Sequence, residues 1–166
     1  MIDAPLPRLE FWCDLQCPDC RTALTDLRAL RERYGDALEI ELRHFPLEKN
    51  KHAYAAAQAA QEAFDQGRGW EYAEALLGRV EELGKAGEPF LVELAGELGL
   101  EAEEVDVALI DGRHTLLVDS DVAEGKAIGV TGTPTYLVAG QRLDGGKSQE
   151  GLLERIIGIL DAQRAG

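Results

Sequence analysis

The sequence predicts an α/β fold in which a βαβ unit and an αββα unit are separated by a block of helices. Three observations carry this. Cys17-Pro18-Asp19-Cys20 lies between the apolar run Leu9-Glu10-Phe11-Trp12 and a helical pattern. Leu38, Ile40 and Leu42 alternate with Glu39, Glu41 and Arg43, the period of two that marks a second strand. Gly129-Val130-Thr131-Gly132-Thr133-Pro134 leads into the β-run Thr135-Tyr136-Leu137-Val138.

Taken in order, Arg8 to Trp12 reads as a buried strand. From Cys20, the positions Ala23, Leu24, Leu27, Leu30 and Tyr34 keep helical spacing, and Gly35-Asp36 ends that helix. The second strand runs to Phe45 and is closed by Pro46; a helical crossover between two strands makes them parallel. Residues 51–112 carry no strand signal. Ala53, Ala56, Ala57, Ala60 and Phe64 form one helical face, and Ala73, Leu76, Leu77 and Val80 a second, broken at 84–87. Pro89 opens a third helix with Phe90, Leu91, Leu94 and Leu98 inward, and Glu101 to Ile110 is a fourth. A longer helix is expected from Arg113 to Ile128, with Leu116, Ala123 and Ala127 on one side. Ala139-Gly140 turns the third strand into Gln141-Arg142-Leu143, and Asp144-Gly145-Gly146 turns the chain again. Leu152, Leu153, Ile156, Ile157 and Leu160 face inward from the last helix.

A length of 166 residues fits one domain, 1–166, with halves at 1–50 and 113–166 around an insertion at 51–112. The net charge of −14 argues against nucleic acid or an anionic membrane as partners, since either would require a basic face. No apolar stretch reaches 18 residues, so no membrane span is expected. Residues 1–12 lack a basic segment followed by an apolar core. With Met1 as the native start, the expected location is cytoplasmic. In that reducing compartment, three cysteines point to catalysis or metal binding rather than to structural disulfides.

The strand before and the helix after put Cys17 at a helix N-terminus. Free backbone N–H groups and the positive end of the helix dipole favour a thiolate there. Pro18 suits the first helical position, where its missing N–H costs nothing. Cys17 is then expected to be the exposed nucleophile, with Cys20, one turn in, resolving the mixed disulfide. Such exchange needs no cofactor. Half of a zinc site is the rival reading, but the other candidates, Cys13, His44, His52 and His114, form no second pair with ligand spacing.

The element order, with C-x-x-C opening the first helix and Thr-Pro opening the third strand, resembles the thioredoxin fold. The helical insertion narrows the resemblance to DsbA-like thiol–disulfide oxidoreductases. Arg43-His44-Phe45-Pro46-Leu47, Gln66-Gly67-Arg68-Gly69-Trp70-Glu71-Tyr72 and Gly129 to Thr135 support it, and it runs from residue 8 to residue 160. It implies a cis peptide at Pro134 beside Cys17, where the Thr133 backbone receives an extended substrate. Pro18 and Asp19 would line the same substrate surface. Protein or low-molecular-weight thiols and disulfides are the implied substrates, with a further redox partner.

Glu10 occupies the place of the buried acid often found in this fold, which would exchange a proton with Cys20; a solvent-facing strand glutamate is the alternative. His44 reads as structural. Asp19 departs from the neutral residue usual in the family, and its charge about 6 Å from Cys17 would cost the thiolate roughly 1 kcal/mol. That favours the disulfide form, hence reductase or isomerase work. Cys13 extends the motif to Cys13-x-x-x-Cys17-x-x-Cys20, a spacing that would also suit an iron–sulfur cluster. The short chain and the missing barrel repeat argue against the cluster. Cys13 is otherwise a small half-buried residue at the strand end or a third redox thiol. A kappa-type glutathione transferase, a related isomerase, or a binding module with a vestigial motif are the remaining alternatives.

Overall fold

The structure, a computed structural model, describes residues 5–145 and 151–165. Strand β1 (Leu9–Cys13) pairs in parallel with β2 (Ile40–His44), Leu9 opposite Ile40 and Cys13 opposite His44. On its other side β1 pairs antiparallel with β3 (Thr135–Val138), which pairs antiparallel with β4 (Gln141–Asp144). The sheet order β2-β1-β3-β4 is the thioredoxin arrangement that the sequence predicts. Ala139 and Gly140, at φ 49° and 74°, make the tight turn between β3 and β4; two successive left-handed residues match the strands' twist. Gly146 of the next expected turn lies outside the described residues.

Side chains alternate along β1, and this parity divides the molecule. Leu9, Phe11 and Cys13 face the larger core, where α1 (Pro18–Tyr34) buries Cys20, Ala23, Leu24, Leu27, Leu30 and Tyr34. Helix α8 (Leu152–Ala165) adds Leu152, Ile156 and Leu160 to that core. Trp12 faces the opposite side, where it clusters with Phe45 and Val130 under α7 (Thr115–Ala127).

The insertion forms α2 (Ala53–Asp65), α3 (Gly69–Leu77), α4 (Val80–Ala86), α5 (Glu88–Glu97) and α6 (Ala102–Asp111). The expected second helix of this block is two helices. The chain breaks at Gly78-Arg79, and α4 continues through Gly84 until Gly87 ends it at φ 74°. Gly69 lies so close to the Phe64 ring that a Cβ there would overlap it.

Helix α7 does not bury the side that carries Leu116, Ala123 and Ala127. Leu116 is 82% exposed, and Ala123 and Ala127 are also in solvent, whereas Val118, Asp121 and Gly125 are buried. The cause lies beneath the helix. A Cβ on Gly125 would come within 2.7 Å of Trp12 Nε1 and 3.0 Å of Phe45 Cδ1, so only glycine allows this approach. Asp121 is drawn in by a cation, Arg43, on the sheet.

Among the described residues no helix is long and apolar enough to cross a membrane.

Candidate active site

The loop between β1 and α1 is held by one buried carboxylate. Asp14 accepts hydrogen bonds from the backbone N–H groups of Gln16 (2.7 Å) and Leu47 (2.9 Å) and from Asn50 Nδ2 (2.8 Å). Its carbonyl accepts from the Cys17 N–H at 3.0 Å. Burial pushes the Asp14 carboxyl up, against the pull of these donors. Asp14→Ala removes the acceptor and leaves buried donors unpaired. It should cost about 2 to 4 kcal/mol in urea unfolding, and a loss under about 0.5 kcal/mol would show that water replaces the carboxylate.

Cys17 takes the extended conformation of an N-cap residue, and Pro18 follows within the first turn of α1. Its thiol neighbours that of Cys20, and Cys20 in turn that of Cys13, so three sulfurs run from the helix start to the end of β1. All three are free and buried: Cys17 is 6% exposed, Cys13 1% and Cys20 0%. The expected exposed nucleophile is therefore covered in this resting structure, and the half-buried Cys13 is fully enclosed.

The expected low-pKa thiol is also corrected. The hydrogen bond with Cys20 and burial push Cys17 up, while the Thr133 hydroxyl and the Cys20 backbone N–H act in the opposite sense. Burial likewise pushes up Cys20 and Cys13. The helix terminus is present, but a neighbouring thiol and the loss of water outweigh it. The source of the upward push is thus Cys20 and burial, where the sequence suggested Asp19. Pro18 is exposed and Asp19 half-buried.

Glu10 is not the proton partner of Cys20. Strand parity puts it on the Trp12 side of the sheet, where its carboxylate accepts from Arg43 Nη1. Arg43 also donates through Nε to Asp121 at 2.8 Å, pairs through Nη2 with Glu124, and lies 4.7 Å over the Trp12 ring. One guanidinium therefore joins β1, β2 and α7. His44 is wholly buried, and its Nε2 meets Gln61 Oε1 at 2.8 Å. Burial pushes it down, toward the neutral form, in keeping with a structural role.

The Thr133–Pro134 peptide is cis. The Thr133 hydroxyl is buried with no conventional hydrogen-bond partner among the described residues, and the sulfur it influences is Cys17. Gly132, Thr133, Pro134, Thr135, Asp144 and Gly145 line an open cavity of about 120 Å³ at this point. The one set of three metal-ligand side chains whose donor atoms converge within 4.8 Å among the described residues is Glu62, Asp65 and His114. Arg113 Nη1 lies 3.6 Å from Glu62 Oε1 there, so the carboxylate already faces a cation. Sequence reasoning missed Asp14 and the contact of Cys13 with Cys20. The second was readable from parity, since Cys13 shares its face with Leu9 and Phe11.

The sheet order, the two thiols at the start of α1 and the cis proline beside β3 define a thioredoxin-fold domain with a paired-cysteine motif. The chain belongs to the family of DSBA-like thioredoxin domains, whose model matches residues 8–157. Among solved structures it is similar to a thioredoxin-like oxidoreductase from Silicibacter pomeroyi DSS-3 (TM-score 0.77, 24% identity, 96% of this chain and 87% of that one). It is also similar to oxidised BdbD from Bacillus subtilis (TM-score 0.81, 16% identity, 99% and 91%). Among protein sequences it is 31% identical over 164 residues to the Na(+)/H(+) antiporter NhaA of Herminiimonas arsenicoxydans, covering 99% of this chain and 25% of that protein. With NhaA 1 of Salinispora arenicola it shares 35% over 153 residues, covering 90% and 22%. The chain thus spans about a quarter of the length of these antiporters.

Proposed function

We propose that this chain is a thiol–disulfide oxidoreductase that acts on protein or low-molecular-weight disulfides through Cys17 and Cys20. The observation that carries the reading is the pair of free thiols at the start of α1, with Thr133 of the cis Thr133–Pro134 peptide beside the outer one. The antiporter names belong to proteins about four times as long, and ion transport is not carried over from them.

In the first step the Cys17 thiolate attacks a substrate disulfide, that S–S bond breaks, and one substrate thiol leaves with a proton. Cys20 then gives up its proton and attacks the Cys17 sulfur. The second substrate thiol leaves, and the protein is left with a Cys17–Cys20 disulfide. The Thr133 backbone beside Pro134 would hold the substrate chain, and Pro18 and Asp19 would line the same substrate surface. The Thr133 hydroxyl and the Cys20 N–H would stabilise Cys17 when it is ionised.

Raised thiol pKa values favour the disulfide form over the dithiol, which makes a reducing couple. Reductase or isomerase work in the cytoplasm fits that direction better than disulfide donation. The test is reduction of insulin by dithiothreitol. Wild-type protein should accelerate it, Cys17→Ser should fall to the uncatalysed rate, and Cys20→Ser should accumulate mixed disulfides. Full activity in Cys17→Ser would overturn the assignment.

A further inference from the structure

We propose that Cys13 is a third exchange thiol, which takes the disulfide from Cys17 and stores it inside the molecule as Cys13–Cys20. The proposal rests on the Cys17–Cys20 chemistry above and extends it by one step.

The geometry that points to it is the order of the sulfurs. Cys20 lies between Cys17 and Cys13, a close neighbour of each within one core cluster, so a disulfide to Cys20 can be reached from either side. Cys13 ends β1 on the face that α1 covers, in the same core cluster as Cys17 and Cys20. Buried cysteines usually have only apolar neighbours, whereas here the two inner thiols are neighbours of one another. The Tyr136 hydroxyl is buried, has no hydrogen-bond partner among the described residues, and lies within electrostatic reach of Cys13 and Cys20.

The step balances without an outside oxidant. Substrate reduction first leaves Cys17 and Cys20 joined. Cys13 loses its proton and attacks the Cys20 sulfur; the Cys13–Cys20 bond forms and the Cys17–Cys20 bond breaks. The electron pair leaves on Cys17, which has the Cys20 N–H and the Thr133 hydroxyl to receive the charge and then takes a proton from solvent. The product has a free Cys17 with no resolving partner. A single thiol of that kind attacks substrate disulfides and leaves again without net reduction, which is isomerase chemistry.

The aspartates make the test direct. Asp14 separates Cys13 from Cys17, and Asp19 separates Cys17 from Cys20, so cleavage before aspartate puts each cysteine on its own peptide. Protein is oxidised with diamide, free thiols are alkylated in acid, and the linked peptides are identified by mass. Wild-type protein should give the Cys13–Cys20 pair alongside Cys17–Cys20; absence of the Cys13–Cys20 pair overturns the proposal. Cys17→Ser should go from two free thiols to none, since Cys13 and Cys20 are the cysteines it keeps, and two persistent thiols would count equally against the proposal. Cys13→Ser tests the underlying reading separately. It should still close Cys17–Cys20, and failure there would remove the exchange pair itself. Should Cys17→Ser not fold, the wild-type map alone decides.

Discussion

Arg43→Ala should lower stability by about 3 to 5 kcal/mol, because it leaves Asp121 buried with no cation and Glu10 with only Arg8, 4.0 Å away. The Arg43 side chain is only 10% exposed, and Glu10 and Asp121 beside it are 15% and 11% exposed. Neither acid can turn to water without unpacking β1 or α7. The variant also uncovers the Trp12 ring, whose indole N–H donates to the Asp121 carbonyl at 3.0 Å. Thermal unfolding should show the loss as a fall in Tm on the order of 10 °C. Arg43→Lys should recover only part of it, since one ammonium cannot serve three carboxylates in a plane. Asp121→Ala in the Arg43→Ala background should be milder than the two separate costs added together. An Arg43→Ala variant within about 1 kcal/mol of wild type would mean that the cluster is solvated and does not bind α7 to the sheet.

Alkylation of Cys17 in the reduced protein should be slow at neutral pH and rise about tenfold per pH unit, some 100-fold from pH 7 to 9. The sign follows from the thiol's surroundings. Cys17 is pushed above its ordinary range by the Cys20 hydrogen bond and by burial, so below that pKa each pH unit multiplies the thiolate tenfold. A helix-activated thiolate would instead be fully formed at neutral pH and show a flat profile. Mass mapping after timed iodoacetamide treatment reads the rate at Cys17 alone. A plateau below pH 8 would restore the low-pKa nucleophile that the motif suggests. Thr133→Val should slow alkylation further at every pH, because it deletes a donor that favours the thiolate.

Much of the architecture was legible because it is written in short-range signals. The period of two at Leu38 to Leu42 and the Cys17-Pro18 helix start each set one element, and the Ala139-Gly140 turn sets another, without reference to the rest of the chain. The inner face of α7 was not, because the apolar positions Leu116, Ala123 and Ala127 describe the solvent side. What turns α7 is Gly125 over an indole and Asp121 on a guanidinium, and both partners lie more than seventy residues earlier. The position of Glu10 follows from the alternation of β1, which puts it on the Trp12 side and away from the thiols. The same alternation puts Cys13 on the thiol side. The site's residue types were therefore visible in the sequence, while burial, which decides how acidic the thiols are, depends on all the layers at once.

The two tryptophans give the molecule two separate optical reporters. Trp12 is enclosed between the sheet and α7, with Arg43 4.7 Å above its ring. Trp70 is half-buried on α3, with Arg31 of α1 4.5 Å above it and the Phe64 ring edge-on at 6.2 Å. One indole emits from the seam beneath the sheet and the other from the seam between the inserted helices and the helix that begins at Cys17. Phenylalanine at either position would leave a single emitter, so loosening of the insertion during substrate turnover could be followed by colour and intensity apart from any change in the sheet.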